Sequence, residues 1–189
     1  MALDILVLYG SYRRGRLGIR LADYIVREIE ALGHSAELID AKAIDLPMLD
    51  WRYSDYPPGE APAAMAQLAD RLTAADAFIF VAGEYNRGMQ PGLKNLVDHY
   101  LKEFDRRPAA IASYSMGRFA GVNSHADWTV TLSAMGMVVV PERLSVGQIG
   151  QTLDDNAQPQ GDGGAALERG FAGFAKSLIW WAEAAKAAR

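Results

Sequence analysis

The first eighteen residues limit the possible folds more than any other stretch of the chain. The apolar run Ile5–Tyr9 is short and rich in β-forming residues, which predicts a buried strand. Gly10 and Ser11 then break the pattern, and a helix is predicted over residues 16–32 because its apolar residues recur on one face. A strand, a tight polar turn and a helix therefore follow one another directly.

The turn between this strand and helix predicts an anion site. The first turn of a helix leaves backbone N–H groups without partners, and the helix dipole adds partial positive charge. Arg13, Arg14 and Arg16 lie beside that positive end, where they are unfavourable unless an anion is bound. We expect the turn to hold the phosphate of a nucleotide-like cofactor; the alternative is a solvated helix start. The turn is neither G-x-G-x-x-G nor a P-loop, because Tyr12 replaces the second glycine and Arg16-Leu17 replaces Lys-Ser/Thr.

The rest of the chain repeats the alternation of strand and helix. Further strands are predicted at residues 36–39, 77–82, 109–114 and 137–140, and helices at 63–75, 91–104, 123–135 and 165–187. Five strands alternating with helices predict an α/β fold, a flavodoxin-like doubly wound five-stranded parallel sheet in the order 2-1-3-4-5 with helices on both faces. Neither a repeat nor a linker is evident, so residues 1–189 are expected to form a single domain.

Two long connections need separate interpretations. Residues 41–62 include Trp51, Tyr53 and Tyr56, and such a loop is either an oligomer contact or a surface flap whose aromatic residues pack back on the domain. The glycine-rich, polar residues 147–164 are expected to form a mobile loop.

Polar, glycine-rich segments follow strands one, three and four. In the proposed order these strands are neighbours, and the crevice of such a sheet opens at their carboxyl ends, where the strand order reverses. We therefore expect three separate loops to meet at one edge of the sheet.

Those three segments, GSYRRGRLG, GEYNRGMQPGLKN and SMGRFAG, resemble the NADPH-dependent FMN reductase family, which is flavodoxin-like and includes quinone, chromate and azo reductases. The most specific piece is Glu84-Tyr85-Asn86 followed by PGLKN. Three residues depart from the family pattern. Arg16 replaces the serine that normally meets the phosphate, Gly83 replaces a proline, and Met116 stands where a small residue is common.

The resemblance implies FMN as cofactor and NADPH or NADH as hydride donor. It assigns the phosphate to Ser11, Arg13, Arg16, Leu17 and Gly18, the isoalloxazine ring to Glu84, Tyr85, Asn86 and Arg87, and the ring border and ribityl chain to Ser115, Met116, Gly117, Arg118 and Gly121. It also implies a ping-pong transfer of hydride to a small acceptor such as a quinone, free flavin, azo compound or metal oxyanion. No catalytic side chain and no metal are expected.

Two other functions share features of this sequence. A flavodoxin-type electron carrier shares the fold but tends to be strongly acidic, which the arginines here argue against. A serine hydrolase could use Ser115, because Ser113-x-Ser115-x-Gly117 follows a strand as a nucleophile elbow does. However, no histidine follows Asp127, so the order of a catalytic triad is not met.

Composition limits the remaining possibilities. The net charge of -4 argues against a general nucleic-acid binder, and the absence of cysteine excludes disulfides and thiolate chemistry. No leader sequence and no apolar run of membrane-spanning length is evident, which predicts a cytoplasmic protein without a membrane span. A homodimer or homotetramer is expected from the aromatic loop.

Overall fold

The computed structural model describes residues 2–189, in which strands and helices alternate. The strands are β1 Asp4–Tyr9, β2 Ser35–Asp40, β3 Ala77–Gly83, β4 Pro108–Tyr114, β5 Val138–Val139 and β6 Leu144–Val146. The helices are α1 Gly18–Ala31, α2 Ala41–Ile44, α3 Ala63–Ala74, α4 Pro91–Asp98, α5 Val122–Ala134, α6 Ile149–Thr152 and α7 Gly161–Ala188. Short 3-10 turns lie at Tyr53–Asp55 and Lys102–Phe104.

The strands form one parallel sheet in the order β2-β1-β3-β4-β5, with β6 also pairing with β4. This confirms the predicted order and the flavodoxin-like architecture. At the switch point Tyr9 of β1 is paired with Asp40 of β2 on one side and with Val81 of β3 on the other. The carboxyl ends of these strands therefore lie at the same edge of the sheet.

The sheet is covered on both faces by helices. Ile79 and Val81 of β3 belong to the core shared with α1 and α7, whereas Phe78 and Phe80 belong to the core shared with α3, α4 and α5. Every residue of β3 and β4 is buried. This explains why the sequences of both strands are continuously apolar rather than alternating.

The predicted fifth strand, residues 137–140, corresponds to β5, and a sixth strand, β6, follows it. β5 pairs with the beginning of β4, and β6 pairs with its end, from Ala112 to Tyr114. Pro141, which cannot donate a ladder hydrogen bond, lies in the gap. The prediction of only five strands was wrong because three residues, Leu144–Val146, are too few to show a clear alternation.

Three predicted boundaries also need correction. The helix predicted over residues 91–104 ends at Asp98 and is followed by a 3-10 turn. Residues 147–164 are not one loop, because α6 and the first turn of α7 lie within them and Ile149 and Leu153 are fully buried. The start of α7 was not recognised because Gly164 lies in its first turn. Glycine permits close packing there, since a Cβ would lie 2.7 Å from the Pro159 carbonyl carbon.

The aromatic loop, residues 41–62, packs partly against α4. Asn95 accepts a 2.8 Å hydrogen bond from the Leu49 amide and donates one of 2.8 Å to the Pro47 carbonyl. Tyr53 and Tyr56 pack on the core, as the flap interpretation expects. Trp51 remains 50% exposed, so part of the loop is available for other contacts.

Candidate functional site

The three predicted loops meet at one cavity of about 150 Å³ at the carboxyl edge of the sheet. The first loop, which follows β1, contributes five of the eleven lining residues, and the ends of β3 and β4 with their loops, together with Ile149 of α6, supply the rest. The lining residues are Ser11, Arg13, Gly15, Arg16, Leu17, Glu84, Tyr85, Tyr114, Ser115, Met116 and Ile149. The expectation that three separate loops share one edge is therefore confirmed.

The first loop is fixed by close backbone contact with α4. A Cβ on Gly10 would overlap the backbone of Leu93, and a Cβ on Gly92 would lie 2.5 Å from the Gly10 carbonyl oxygen. Only glycine permits this approach at either position. Within residues 2–189, the backbone N–H groups of Ser11, Arg13 and Gly18 find no acceptor. The loop thus offers the free donors that an anion site requires.

Ser11 is 2% exposed, and its hydroxyl lies 2.7 Å from the Tyr85 hydroxyl. This hydrogen bond joins the first loop to the loop after β3. Two hydroxyls that share one hydrogen bond retain one O–H for another acceptor. The pair can therefore still donate to a bound anion.

Arg16 already has a partner in the protein. Its guanidinium donates to the Asp40 carboxylate, with Nη1–Oδ1 at 2.8 Å and Nη2–Oδ2 at 2.7 Å, and Nη1 also donates to the Ser11 carbonyl at 3.3 Å. Hydrogen bonding to Asp40 raises the pKa of Arg16. Arg13, in contrast, has no ion pair or side-chain hydrogen bond within residues 2–189. Arg13 thus supplies a cation that no carboxylate compensates.

The loop after β3 forms a tight hairpin turn. Tyr85 and Gly88 exchange backbone hydrogen bonds of 3.0 and 2.9 Å. Asn86 and Arg87 between them have φ of 49° and 67°, the left-handed conformation that both central residues of a type I′ turn require. Asn tolerates this conformation well, whereas Arg does so at a cost. Such strain is commonly found at functional sites.

Glu84 connects the hairpin to the next loop. Its carboxylate accepts from the Asn123 backbone N–H at 2.9 Å and from the Asn123 side-chain amide at 3.1 Å. Asn123 lies in the first turn of α5, where the helix dipole favours a negative charge. Glu84 is therefore a helix cap that fixes one loop against another.

The loop after β4 is held from beneath by residues 146–149. The Ser115 amide donates to the Val146 carbonyl, and the Gln148 amide donates to the Gly117 carbonyl. The Ser115 hydroxyl donates to the Gly117 carbonyl at 2.8 Å and has no histidine or carboxylate partner within residues 2–189. This geometry gives a serine hydrolase no activated nucleophile.

Tyr114, which sequence reasoning treated only as a strand end, forms part of the cavity floor. Gln90 donates to its hydroxyl at 2.6 Å, and a Cβ on Gly18 would overlap its ring. Burial raises the pKa of Tyr114, and burial also raises the pKa of Tyr9 beside it. Both hydroxyls therefore stay protonated, and the floor carries no charge.

Several predicted residues lie outside the lining. Gly18 and Gly121 pack on Tyr114 instead, and Gly121 has φ of 76° with a Cβ position 2.7 Å from the Tyr114 carbonyl. Gly117 is an acceptor within its own loop. The remaining ones, Asn86, Arg87 and Arg118, are not among the residues that line the cavity.

Within the described chain, no group of three or more His, Asp or Glu side chains could hold a metal ion. Among residues 2–189 there is likewise no helix with the length and apolar character needed to cross a membrane.

Comparison with known proteins identifies the family. The sequence model of the NADPH-dependent FMN reductase family matches residues 3–151. The chain belongs to this family. The predicted resemblance is therefore confirmed, and with it the assignment as an NAD(P)H-dependent oxidoreductase that has FMN and NAD(P)H as cofactors.

Individual relatives of this FMN reductase agree with that assignment. An NAD(P)H-dependent FMN reductase of Pseudomonas aeruginosa is 30% identical over 168 residues, covering 82% of this chain and 88% of the relative. A quinone reductase of Escherichia coli is 28% identical over 126 residues, covering 63% of each. The solved structure of FerB, a flavoenzyme NAD(P)H:(acceptor) oxidoreductase from Paracoccus denitrificans, has a TM-score of 0.77 at 22% identity and covers 96% of this chain and 98% of its own. That last likeness shows the fold.

Sequence reasoning missed residues that support this FMN reductase site from behind. Asp40, Gln90 and Asn123 each hold a predicted residue or the cavity floor. Asp40 and Asn123 lie outside the three recognised segments, whereas Gln90 lies within the second segment but was given no role. Asp40 is the last residue of β2, and this position at the carboxyl edge of the sheet was the one sequence signal that could have identified it. The donors present, an unpaired arginine and free N–H groups, suit the phosphate of FMN.

Proposed function

We propose that the chain forms a single FMN-binding domain over residues 1–189 and that FMN binds where the three loops meet. The observation that carries this proposal is the convergence of a cation without a partner and free N–H groups with two glycine-rich loops at one cavity. When bound, the flavin supplies the hydride chemistry, which the protein's own side chains lack.

In this proposal the phosphate lies in the first loop. Arg13 and the free N–H groups of Ser11, Arg13 and Gly18 donate to it, and the Ser11–Tyr85 hydroxyl pair contributes its remaining O–H. Arg16 acts through the loop rather than on the phosphate, because Asp40 and the Ser11 carbonyl already occupy its guanidinium. This revises the role that the family pattern implies for position 16.

The ring lies along the hairpin turn, residues 84–88, mostly against backbone atoms. Glu84 holds this turn to α5, so the turn is rigid before the ligand arrives. The loop of residues 115–121 borders the ring and ribityl chain, and Met116 and Phe119 in it are 64% and 68% exposed. These exposed apolar side chains suit a flat donor or acceptor that stacks at the mouth.

The hydride donor and the acceptor are proposed to use the one open site in turn, which is a ping-pong sequence. Neither Tyr114 nor Glu84 of the lining is placed as an acid–base catalyst, because burial raises the pKa of Tyr114 and keeps it protonated, and Glu84 is engaged with Asn123. A small acceptor of the quinone class is the leading candidate, since a relative bears the name quinone reductase. Free flavins, azo compounds and metal oxyanions remain further candidates.

A homodimer or homotetramer is also proposed. The exposed side chains Met48, Trp51, Leu101 and Val130 lie on the aromatic loop, after α4 and on α5, and exposed apolar residues of this kind are typical of interfaces. Light scattering at working concentration tests this part, and a monomer would contradict it. A cytoplasmic location stays a prediction.

Two arginines of the first loop offer a matched test. Arg13 lines the cavity, whereas Arg14 is exposed next to it and does not. Replacing Arg13 with alanine should weaken FMN binding about tenfold to a hundredfold, because a charge-assisted contact to phosphate is lost. Arg14→Ala should change FMN affinity less than about threefold, since Arg14 does not line the cavity and would make no direct contact with the phosphate. Titration of FMN fluorescence measures both, and equal affinities in the two variants would contradict the phosphate position.

The reaction itself is tested with FMN-loaded protein, NADPH and a quinone. Anaerobic addition of NADPH should bleach the flavin absorption, and a quinone should restore it. Double-reciprocal plots at several quinone concentrations should give parallel lines. Intersecting lines would contradict the ping-pong sequence while leaving the FMN site intact.

A further inference from the structure

A second and larger concavity lies between α1 and α7. It is a groove of about 680 Å³, within the size range of small-molecule sites. Its α1 residues lie between Tyr24 and Leu32, whereas the flavin cavity is at the opposite end of that helix, where Gly18 meets Tyr114. Six helical residues separate Gly18 from Tyr24, the first groove residue on α1, which is about 9 Å along the helix. The groove is therefore distinct from the site described above.

The walls of the groove are largely apolar. Phe171 and Ile179 of α7 line it, together with Leu32 and Trp180, which are 53% and 60% exposed. Large exposed apolar side chains that line the same concave surface mark a binding site more often than isolated ones do. An indole face can also hold a cation.

One polar group in the groove is without a partner. Tyr24 is 2% exposed, yet it lines the groove, and within residues 2–189 its hydroxyl makes no hydrogen bond. The hydroxyl itself is not sealed inside the protein, so water in the groove can bond to it until a ligand replaces that water. The Tyr24 hydroxyl thus offers a ligand in the groove one hydrogen-bond donor and one acceptor.

The charges in the groove favour a cation. Glu28, Glu168 and Glu183 line it against the single ammonium of Lys176. Burial raises the pKa of Tyr24 to about 12, with Glu28 and Glu168 as the next causes, so the field of both carboxylates reaches the hydroxyl. Arg27, which is not among the lining residues, bonds Glu28 and offsets part of its charge.

We propose that the groove between α1 and α7 is a second binding site, which takes a small protonated amine with a flat apolar body. The ammonium lies between the Tyr24 hydroxyl and the carboxylates of Glu28 and Glu168. The apolar body packs against Phe171 and Trp180.

The test is calorimetric titration of the FMN-loaded, full-length chain with three probes. They are 4-phenylbutylammonium, its N-trimethyl derivative, which keeps the charge but has no N–H, and 4-phenylbutanesulfonate, which reverses the charge. The primary ammonium should bind saturably at one site per chain, the quaternary ion about threefold to tenfold more weakly, and the sulfonate not at all.

Three variants locate the binding. Tyr24→Phe should abolish the difference between the primary and quaternary ions, and Glu168→Gln should weaken both about twofold to fivefold. Glu142→Gln, at an exposed position outside the groove, is the control and should bind like the unmodified chain. Retained FMN absorption shows that each variant is folded. Absence of saturable binding, equal binding of the sulfonate, or unchanged affinity in either groove variant would overturn the proposal.

Discussion

The pair of Arg16 and Asp40 allows the sharpest test of how the first loop binds FMN. The two possible roles of Arg16 predict opposite changes in FMN affinity when Asp40 is replaced. If Arg16 only fixes the loop, losing Asp40 weakens FMN binding. If Arg16 contacts the phosphate, losing Asp40 frees the guanidinium and strengthens it. Asp40→Asn is the suitable change, because Asp40 also accepts a hydrogen bond from the Lys42 amide and asparagine caps a helix equally well.

The magnitude follows from the geometry. The two side chains are 24% and 11% exposed and meet through two hydrogen bonds of 2.8 and 2.7 Å. A fully exposed pair is worth about 0.2–1 kcal/mol, and a charge-assisted bidentate pair is worth roughly twice as much. We therefore expect a coupling of about 1–2 kcal/mol, which corresponds to about fivefold to thirtyfold in affinity if it is expressed entirely in FMN binding.

The assay is a double-mutant cycle read by FMN fluorescence, with urea unfolding of each apoprotein as a second readout. Arg16→Ala and Asp40→Asn should each weaken FMN binding about threefold to tenfold. The double variant should bind FMN no more weakly than whichever single variant has the lower affinity. Tighter FMN binding by Asp40→Asn, or additive losses in the double variant, would refute the positioning role.

Three further predictions concern stability and are measured by urea unfolding. Gly18→Ala should lower the free energy of unfolding by about 1–3 kcal/mol, because the added Cβ would overlap the ring of Tyr114. Gly15→Ala, where a Cβ would meet nothing within 4 Å, should change it by less than about 0.5 kcal/mol. Equal losses in the two variants would contradict the packing of Gly18 on Tyr114. Arg87→Gly should stabilise by about 0.5–1 kcal/mol, because glycine adopts φ of 67° without strain; destabilisation would argue against it. Burial raises the pKa of Tyr24 to about 12, so above pH 10 the unfolded chain loses this proton first and stability falls as pH rises toward 12. Tyr24→Phe should flatten that decline, and an unchanged pH profile would contradict it.

The fold was predictable because short, continuously apolar segments rich in β-forming residues alternate with longer segments of helical periodicity. The order of the strands followed from the one-helix crossovers and from the three polar loops that must share an edge. The sixth strand was not predictable, because Leu144–Val146 is only three residues long and pairs with the end of β4. The start of α7 was missed because glycine has low helix propensity, which packing against Pro159 overrides.

The site was predictable as a set of loops but not as a set of contacts. Strand ends gave the positions of Ser11, Glu84 and Ser115, which all line the cavity. The partners of the charged residues lie far away in sequence, at Asp40 and Asn123, and only the sheet order brings them near. Sequence patterns assign a role to a residue type, whereas the role here depends on whether that residue is already paired.

Which charged residues of the lining already have a partner in the protein also predicts how the site should distinguish FMN from riboflavin. Three charged residues line the cavity; Glu84 is held by Asn123 and Arg16 by Asp40, which leaves Arg13 as the one lining charge without a partner in the described chain. Since riboflavin lacks the phosphate, the ratio of FMN to riboflavin affinity measures the contribution of that charge. The ratio should fall about tenfold or more in Arg13→Ala, but it should change little in Arg16→Ala, where both ligands lose affinity together because the loop is loosened. Fluorescence titration with both flavins gives the ratio directly. A ratio that falls in Arg16→Ala and holds in Arg13→Ala would show that the two arginines have exchanged the roles assigned here.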